Sequence, residues 1–405
     1  MTRIHEADVM ETSPPRRDEI DGRVRVTTDV GGRAPLWFSV DELFGDLVSD
    51  RADHVLIALL MPAMKEGLDL HVGGTVSDSL LHYANADLQR LLRMEHPDLS
   101  VIQVTADAPV APAPRAAGVA TGFSGGVDSF SSLAEYLWGD DVPQSLRVTH
   151  LLNNNVGAHG HGSIADELWH RRREPLARIA DELGLPFVTV DSNLDEHYPR
   201  IGFIESVTMR NAAVPHLLGA GIGHLHLASA IPFPYVRVDD TGEIARIDTM
   251  LVPLLSTAAV TIASANSGLT RVQKTLSLIG RPESQHLDVC TDGDPARTRN
   301  CSACSKCMRT MLTFEIAGHL QEYCPGTFSY ERYAERRDAF VAKVLSSDDP
   351  YHREIRAYAT EVGWQWDAAD RRRAALEAAR TAASRAIRSA ARMPLLRSLR
   401  QRLKG

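Results

Sequence analysis

The 405-residue sequence has no apolar run long enough to cross a bilayer as a helix. The nearest candidates, residues 55–63 and 251–265, are short or broken by Pro253, Ser256 and Thr257. Residues 1–17 mix Glu, Asp and Arg with no apolar centre, which argues against a secretory signal and makes the cytoplasm the expected compartment. Cysteine is scarce: there are five, four of them between Cys290 and Cys307. That is too few and too clustered for a disulfide scaffold, so the cluster reads as a metal site. What is present is a composition of 44% hydrophobic and 24% charged residues, enough for a sizeable core and two or three domains. The net charge of −8 conceals an asymmetry, because residues 371–405 carry ten Arg and one Lys against one Glu, +10, which leaves −18 on the rest.

The chain is organised around Gly122-Phe123-Ser124-Gly125-Gly126-Val127-Asp128-Ser129-Phe130. Residues 116–121 are short and apolar, as a buried strand should be, and Phe130, Leu133, Ala134 and Leu137 recur at helical spacing. A turn between a strand and a helix N-terminus is the expectation. Gly125 and Gly126 carry no Cβ, so backbone N–H groups can close on an oxyanion, and the helix start adds unpaired donors and partial positive charge. Ser124 and Ser129 add hydroxyl donors. Asp128 beside an anion makes sense if it holds a magnesium ion that the phosphates share.

Around this turn, residues 1–19 read as disordered, 20–107 as an α+β domain and 108–117, rich in Ala and Pro, as an extended connector. Within 20–107, Leu56 to Leu60 and Leu99 to Val104 read as short strands. Residues 118–325 alternate strands and helices: strands at 146–152, 186–191 and 224–229, and helices at 164–183, closed by Gly184, and 206–218. That alternation implies a doubly wound parallel sheet, an α/β fold with ligands at the carboxyl ends of its strands. Residues 326–405 read as helical, ending in a basic Ala/Arg tract with Arg380, Arg385, Arg388 and Arg392 on one side and a break at Pro394. The tract could dock on the acidic body of its own or a neighbouring chain, which is preferred, or meet nucleic acid or an anionic membrane surface.

Four further stretches carry candidate chemistry. The loop Asn153-Asn154-Asn155-Val156-Gly157-Ala158-His159-Gly160-His161-Gly162 is glycine-rich, with His159 and His161 as acid/base or ligand candidates beside the bland reading of exposed His. Arg210 and Asn211 fall at an expected helix beginning. Arg271 and Lys274 stand three apart on one helical face, suited to triphosphate oxygens unless that face is simply solvated. Cys290, Cys301, Cys304 and Cys307 supply four thiolates with two short loops, as a closed tetrahedral zinc site requires; His286 could stand in for Cys290, and an iron–sulfur cluster is the alternative. Cys324 is a lone thiol, either a small buried hydrophobe or a sulfur carrier.

The turn resembles the pyrophosphate-binding loop of the PP-loop ATP pyrophosphatase superfamily, which lacks the Gly-Lys-Ser/Thr ending of a Walker loop. Thr208-Met209-Arg210-Asn211 and the late Cys cluster are similar to elements of its 7-cyano-7-deazaguanine synthase branch. The resemblance covers about residues 116–325. It implies the adenine nucleotide alpha hydrolase-like fold, ATP and Mg²⁺ as partners, structural Zn²⁺, and cleavage between the α- and β-phosphates. Ser124, Gly125, Gly126 and Ser129 would bind the β,γ-phosphates and Lys274 would offset charge on the leaving pyrophosphate, with Arg210, Asn211 and Arg271 nearby. The expected activity is an AMP-forming ligase that adenylates an unidentified small-molecule acceptor for attack by ammonia or an amine. ATP-dependent sulfur transfer and nucleotide sensing without turnover are the alternatives.

Overall fold

A computed structural model describes residues 8–291, 294 and 300–392, without the side chains of 385–392. The chain divides into two compact units, Met1–Thr270 and Arg271–Gly405.

The first unit opens with β1 (Val9–Glu11), β2 (Arg16–Ile20), β3 (Arg23–Thr28) and β4 (Leu36–Asp41), then α1 (Asp53–Glu66), β5 (Asp69–Ser77), α2 (Asp78–Ala84), α3 (Asp87–Glu95) and β6 (Val104–Val110). It continues with β7 (Gly118–Gly122), α4 (Val127–Tyr136), β8 (His150–Asn155), α5 (Ser163–Leu183), β9 (Phe187–Ser192), α6 (Phe203–Leu217), β10 (Ile222–Ala228), α7 (Asp248–Leu254) and β11 (Thr261–Ala265). The architecture is α/β with two sheets. A small sheet runs β1-β5-β6, all parallel, and an eight-stranded mixed sheet runs β11-β10-β7-β8-β9-β4-β3-β2. From β11 to β9 the strands are parallel; β4, β3 and β2 continue the sheet antiparallel.

Residues 20–107 therefore have no sheet to themselves. Phe38 and Val40 of β4 pair with Ser192 and Val190 of β9, and one apolar core extends from Met10 to Ile262. Residues 8–19, expected to be disordered, supply β1 and β2, while 1–7 lie outside the described residues. The cause is local: Asp21 and Gly22 both take positive φ, 52° and 71°, the geometry of a two-residue hairpin turn, and it folds β2 onto β3. Leu56 to Leu60 lie in α1, not in a strand. Every residue of α1 from Asp53 to Met64 is buried, so the run lacks the polar face that would have announced a helix. The expected connector contributes its first three residues to β6.

The second unit holds α8 (Arg271–Leu276), α9 (Ser305–Ile316), α10 (Tyr330–Ser346), α11 (Pro350–Glu361) and α12 (Ala368–Arg392). Phe314 stacks on Tyr323 at 4.0 Å, and Arg337 joins Glu315 of α9 to Asp370 of α12. The expected boundary at 325/326 falls inside this unit, which places the four cysteines with the C-terminal helices. The basic tract is helical to Arg392, with Arg380 exposed; Pro394 and the rest of 393–405 lie outside the described residues. Among the described residues no helix is long and apolar enough to cross a membrane.

Candidate functional site

The turn after β7 is built as its sequence suggests. Phe123 N donates to Leu152 O at 2.7 Å and Phe123 O accepts from Asn153 Nδ2 at 3.1 Å, tying the turn to β8. The Phe123 ring is buried edge-to-face against Phe130, 5.3 Å between centroids, which fastens the turn from below. Above it Ser124 is exposed, Gly125 takes φ +74° and Gly126 caps α4, so Asp128 falls in the first helical turn, half-buried. Gly125 is one position where glycine is required by the backbone itself. Ser129 is 2% exposed and its hydroxyl donates to Gly126 O at 2.9 Å, so that donor is engaged inside the turn and Ser124 is the outward hydroxyl.

The turn's place in the sheet matters as much as its shape. From β7 the chain steps to β8 and β9 on one side, then crosses back to β10 and β11 on the other. Open α/β sheets form a crevice at the carboxyl ends of strands where the winding direction changes. Asn266, at φ +57° after β11, bonds Ser131 of α4 through Nδ2 at 2.8 Å and ties the end of β11 to α4.

Arg210 is not at a helix beginning. It stands in the second turn of α6, fully buried, with Nε on Ser206 Oγ at 2.8 Å, Nη1 on Val156 O at 3.0 Å and Asp195 Oδ1 at 2.7 Å, and Nη2 on Ile201 O at 3.3 Å. Its guanidinium also lies 4.1 Å over the Tyr198 ring. These bonds clamp the loops that follow β8 and β9. Gly157 passes so close that a Cβ there would meet Arg210 Nη1 at 2.2 Å, at φ +105°. Asn211 is half-buried one residue on, joined to Asn154. His161 Nδ1 meets Asp195 Oδ2 at 2.9 Å, and that bond raises the affinity of its exposed ring for a proton; burial, with Arg172 nearby, lowers His159. The clamp residues Gly157 and Asp195, and Asn154, whose Nδ2 donates to Asn211 Oδ1, were not singled out from the sequence; the Asn153–Asn155 run at a strand end was the available signal.

In the second unit, Lys274 is 2% exposed on α8, so it does not belong to a solvated face. Arg271 N donates to Glu354 Oε2 at 2.8 Å and its guanidinium lies 6.0 Å from the Tyr351 ring.

The four cysteines converge. Their sulfurs all lie within 4.8 Å of one another, with Cys301–Cys307 at 3.9 Å and Cys304–Cys307 at 3.5 Å. A tetrahedral ion with metal–sulfur bonds of about 2.3 Å needs sulfurs about 3.8 Å apart, so the group can hold a metal ion. Cys301 N and Cys304 N donate to Cys290 Sγ at 3.4 Å and Cys301 Sγ at 3.3 Å, the donors a thiolate wants. Behind them buried Asn300 bonds Leu287 O at 2.7 Å and Val289 N at 2.9 Å, while Ser302, at φ +56°, bonds Ser329 N at 2.8 Å. The Cys304–Cys307 hydrogen bond pulls the Cys304 thiol down and pushes Cys307 up, as expected of sulfurs packed to share a charge. The fourth member is Cys290, not His286, and Cys324 stands apart, its thiol pushed up by burial and Glu331.

Compared with known proteins, the chain matches no family model, no curated protein and no solved structure.

Proposed function

We propose that the chain is an ATP-dependent synthetase of the PP-loop pyrophosphatase type, forming AMP and pyrophosphate on a doubly wound, adenine nucleotide alpha hydrolase-like sheet. The observation that carries this reading is the turn Ser124–Ser129: glycine at positive φ, a helix N-terminus behind it, and a position where the winding of the parallel strands reverses. Backbone N–H groups of the turn and the Ser124 hydroxyl hold the β,γ-phosphates. Asp128 would hold Mg²⁺, which when bound neutralises phosphate charge. A carboxylate or amide oxygen of the acceptor attacks the α-phosphorus; that P–O bond forms as the bridge to the β-phosphate breaks, and pyrophosphate stays in the turn. Ammonia or an amine then attacks the activated carbon, loses a proton, and AMP departs with the oxygen. Donors already fixed around the leaving group stabilise the charge that builds there without reorganising. Arg210, its donors spent on Val156, Asp195 and Ile201, is assigned to shaping the crevice.

The cysteine cluster would hold Zn²⁺ with all four positions taken by protein, a structural role. Sulfur transfer through Cys324 is the weaker reading, since a carrier must be a thiolate and its surroundings favour the thiol. Replacing Asp128 tests the assignment: Asp128→Ala is expected to abolish pyrophosphate release while leaving bound metal at the cysteines unchanged. A fully active variant would remove Asp128 from the magnesium site.

A further inference from the structure

The turn after β7, residues 156–162 after β8 and residues 193–202 after β9 leave the carboxyl ends of three neighbouring parallel strands. Adjacent strands stand about 4.8 Å apart, so the loop after β8 is the turn's immediate neighbour at that end of the sheet, where ligands of such sheets bind. In that loop Gly160 N closes on Gly157 O at 3.1 Å, and the next residue, His161, reaches Asp195 of the loop after β9. The attacking amine of the synthetase reading must lose a proton, and no residue has yet been given that task.

The His161–Asp195 pair admits one neutral tautomer. A carboxylate only accepts, so the contact of 2.9 Å from Nδ1 to Asp195 Oδ2 places the ring proton on Nδ1 and leaves a lone pair on Nε2. Asp195 is itself fixed, because Arg210 Nη1 holds its Oδ1 at 2.7 Å from a buried guanidinium that also bonds the carbonyls of Val156 and Ile201. An ordinary surface ion pair has two mobile members. Here the carboxylate is anchored while the imidazole side chain stays 69% exposed, with no partner for Nε2 among the described residues. The charged groups facing the ring are Asp195, through its hydrogen bond and its charge, and Glu196; both raise its affinity for a proton, whereas burial, with Arg172 nearby, lowers that of His159. An oriented, solvent-reachable nitrogen that accepts a proton near neutrality is what general-base catalysis requires.

Resting on the synthetase reading above, we propose that His161 is the general base of the second half-reaction, oriented by Asp195. The nitrogen of the amine bonds to the activated carbon, its proton passes to His161 Nε2, and the bond from that carbon to oxygen breaks with its electron pair leaving on AMP; water then takes the proton from the imidazolium. Exchange of labelled pyrophosphate into ATP, with a panel of carboxylic acids and primary amides and no amine, reads the first half-reaction. AMP formed on adding ammonium chloride, expressed per free ammonia, reads the second. His161→Gln, which can keep a bond to Asp195 but cannot titrate, is expected to leave exchange within about twofold of wild type and to slow amine-dependent AMP formation by about 100-fold or more. The wild-type rate should fall on acidification, beginning above the usual histidine range, and the variant's should stay flat between about pH 5 and 8. Slowing of less than about tenfold, or an acid limb that persists in the variant, overturns the proposal. Loss of exchange together with AMP formation overturns it as well, since His161 would then serve binding or folding. Wild-type chain that exchanges with no acid or amide overturns the proposed function and this inference together, a failure visible before any variant is made.

Discussion

Gly157 offers a sharp check on how the loops after β8 and β9 are held. Adding one methyl group there brings Cβ to 2.2 Å from Arg210 Nη1 and 2.7 Å from Asp195 Oδ1, both inside van der Waals contact, on a backbone at φ +105°. Neither neighbour can yield cheaply. Arg210 is held by Ser206, Val156 and Ile201 besides Asp195, in a pocket where its side chain is wholly buried. Separating a buried ion pair costs about 3–5 kcal/mol and a non-glycine residue in such a backbone region about 1–3 kcal/mol, so Gly157→Ala is expected to destabilise the first unit by about 4 kcal/mol. Gly160 is the control: its φ is +81° but a Cβ meets nothing within 4 Å, so Gly160→Ala should cost only about 1 kcal/mol. Hydrogen exchange of the α6 amides under mild urea reads the first unit separately from the second. In an Arg210→Met background the penalty of Gly157→Ala should fall by at least half, since the clashing group is gone. Equal effects of the two alanine substitutions, or an undiminished penalty in the Met background, would refute the clamp.

Other outcomes follow from buried groups. Burial, against a hydrogen bond to the Arg51 carbonyl, pushes fully buried His54 down to about 4. The neutral ring is the folded form, so its stabilising effect is complete above pH 6.5 and is lost as the pH falls toward 4, about 3 kcal/mol in all. His54→Asn, which keeps a donor for Arg51, should flatten that slope in urea titrations between pH 7 and 4.5, and an unaltered slope would speak against it. Cys301→Ser should empty the cysteine centre by elemental analysis and lower the melting temperature of the second unit by on the order of 10 °C; retention of one tightly bound metal per chain would contradict a four-thiolate site.

Local chemistry explains what was legible in the sequence. The glycines of the turn, the helical spacing of Phe130, Leu133 and Leu137, and the short Cys301–Cys304–Cys307 spacing all act within a few residues, and each appears in the structure where it was expected. Gly184 likewise ends α5 at φ +65°. Pairings distant in sequence were not legible. Nothing in the residues of β4 specifies β9, 150 residues away, as its neighbour, and a wholly buried helix such as α1 leaves no periodic trace. Asp21-Gly22 is a hairpin signal that went unread because the segment before it is polar and proline-containing. Arg210 was singled out by the likeness of Thr208–Asn211 to a family element, and its burial beneath Gly157, which rests entirely on tertiary contacts, was not legible.

The central claim is that a phosphate bond breaks at the turn and that it is the α–β bond. Phosphorus NMR of ATP incubated with the metal-loaded chain, Mg²⁺, ammonium and a panel of carboxylic acids and primary amides measures this directly. Equimolar AMP and pyrophosphate, appearing with wild-type chain and absent with Asp128→Ala, is the expected result; ADP and orthophosphate, or unchanged ATP with every acid and amide, would contradict it.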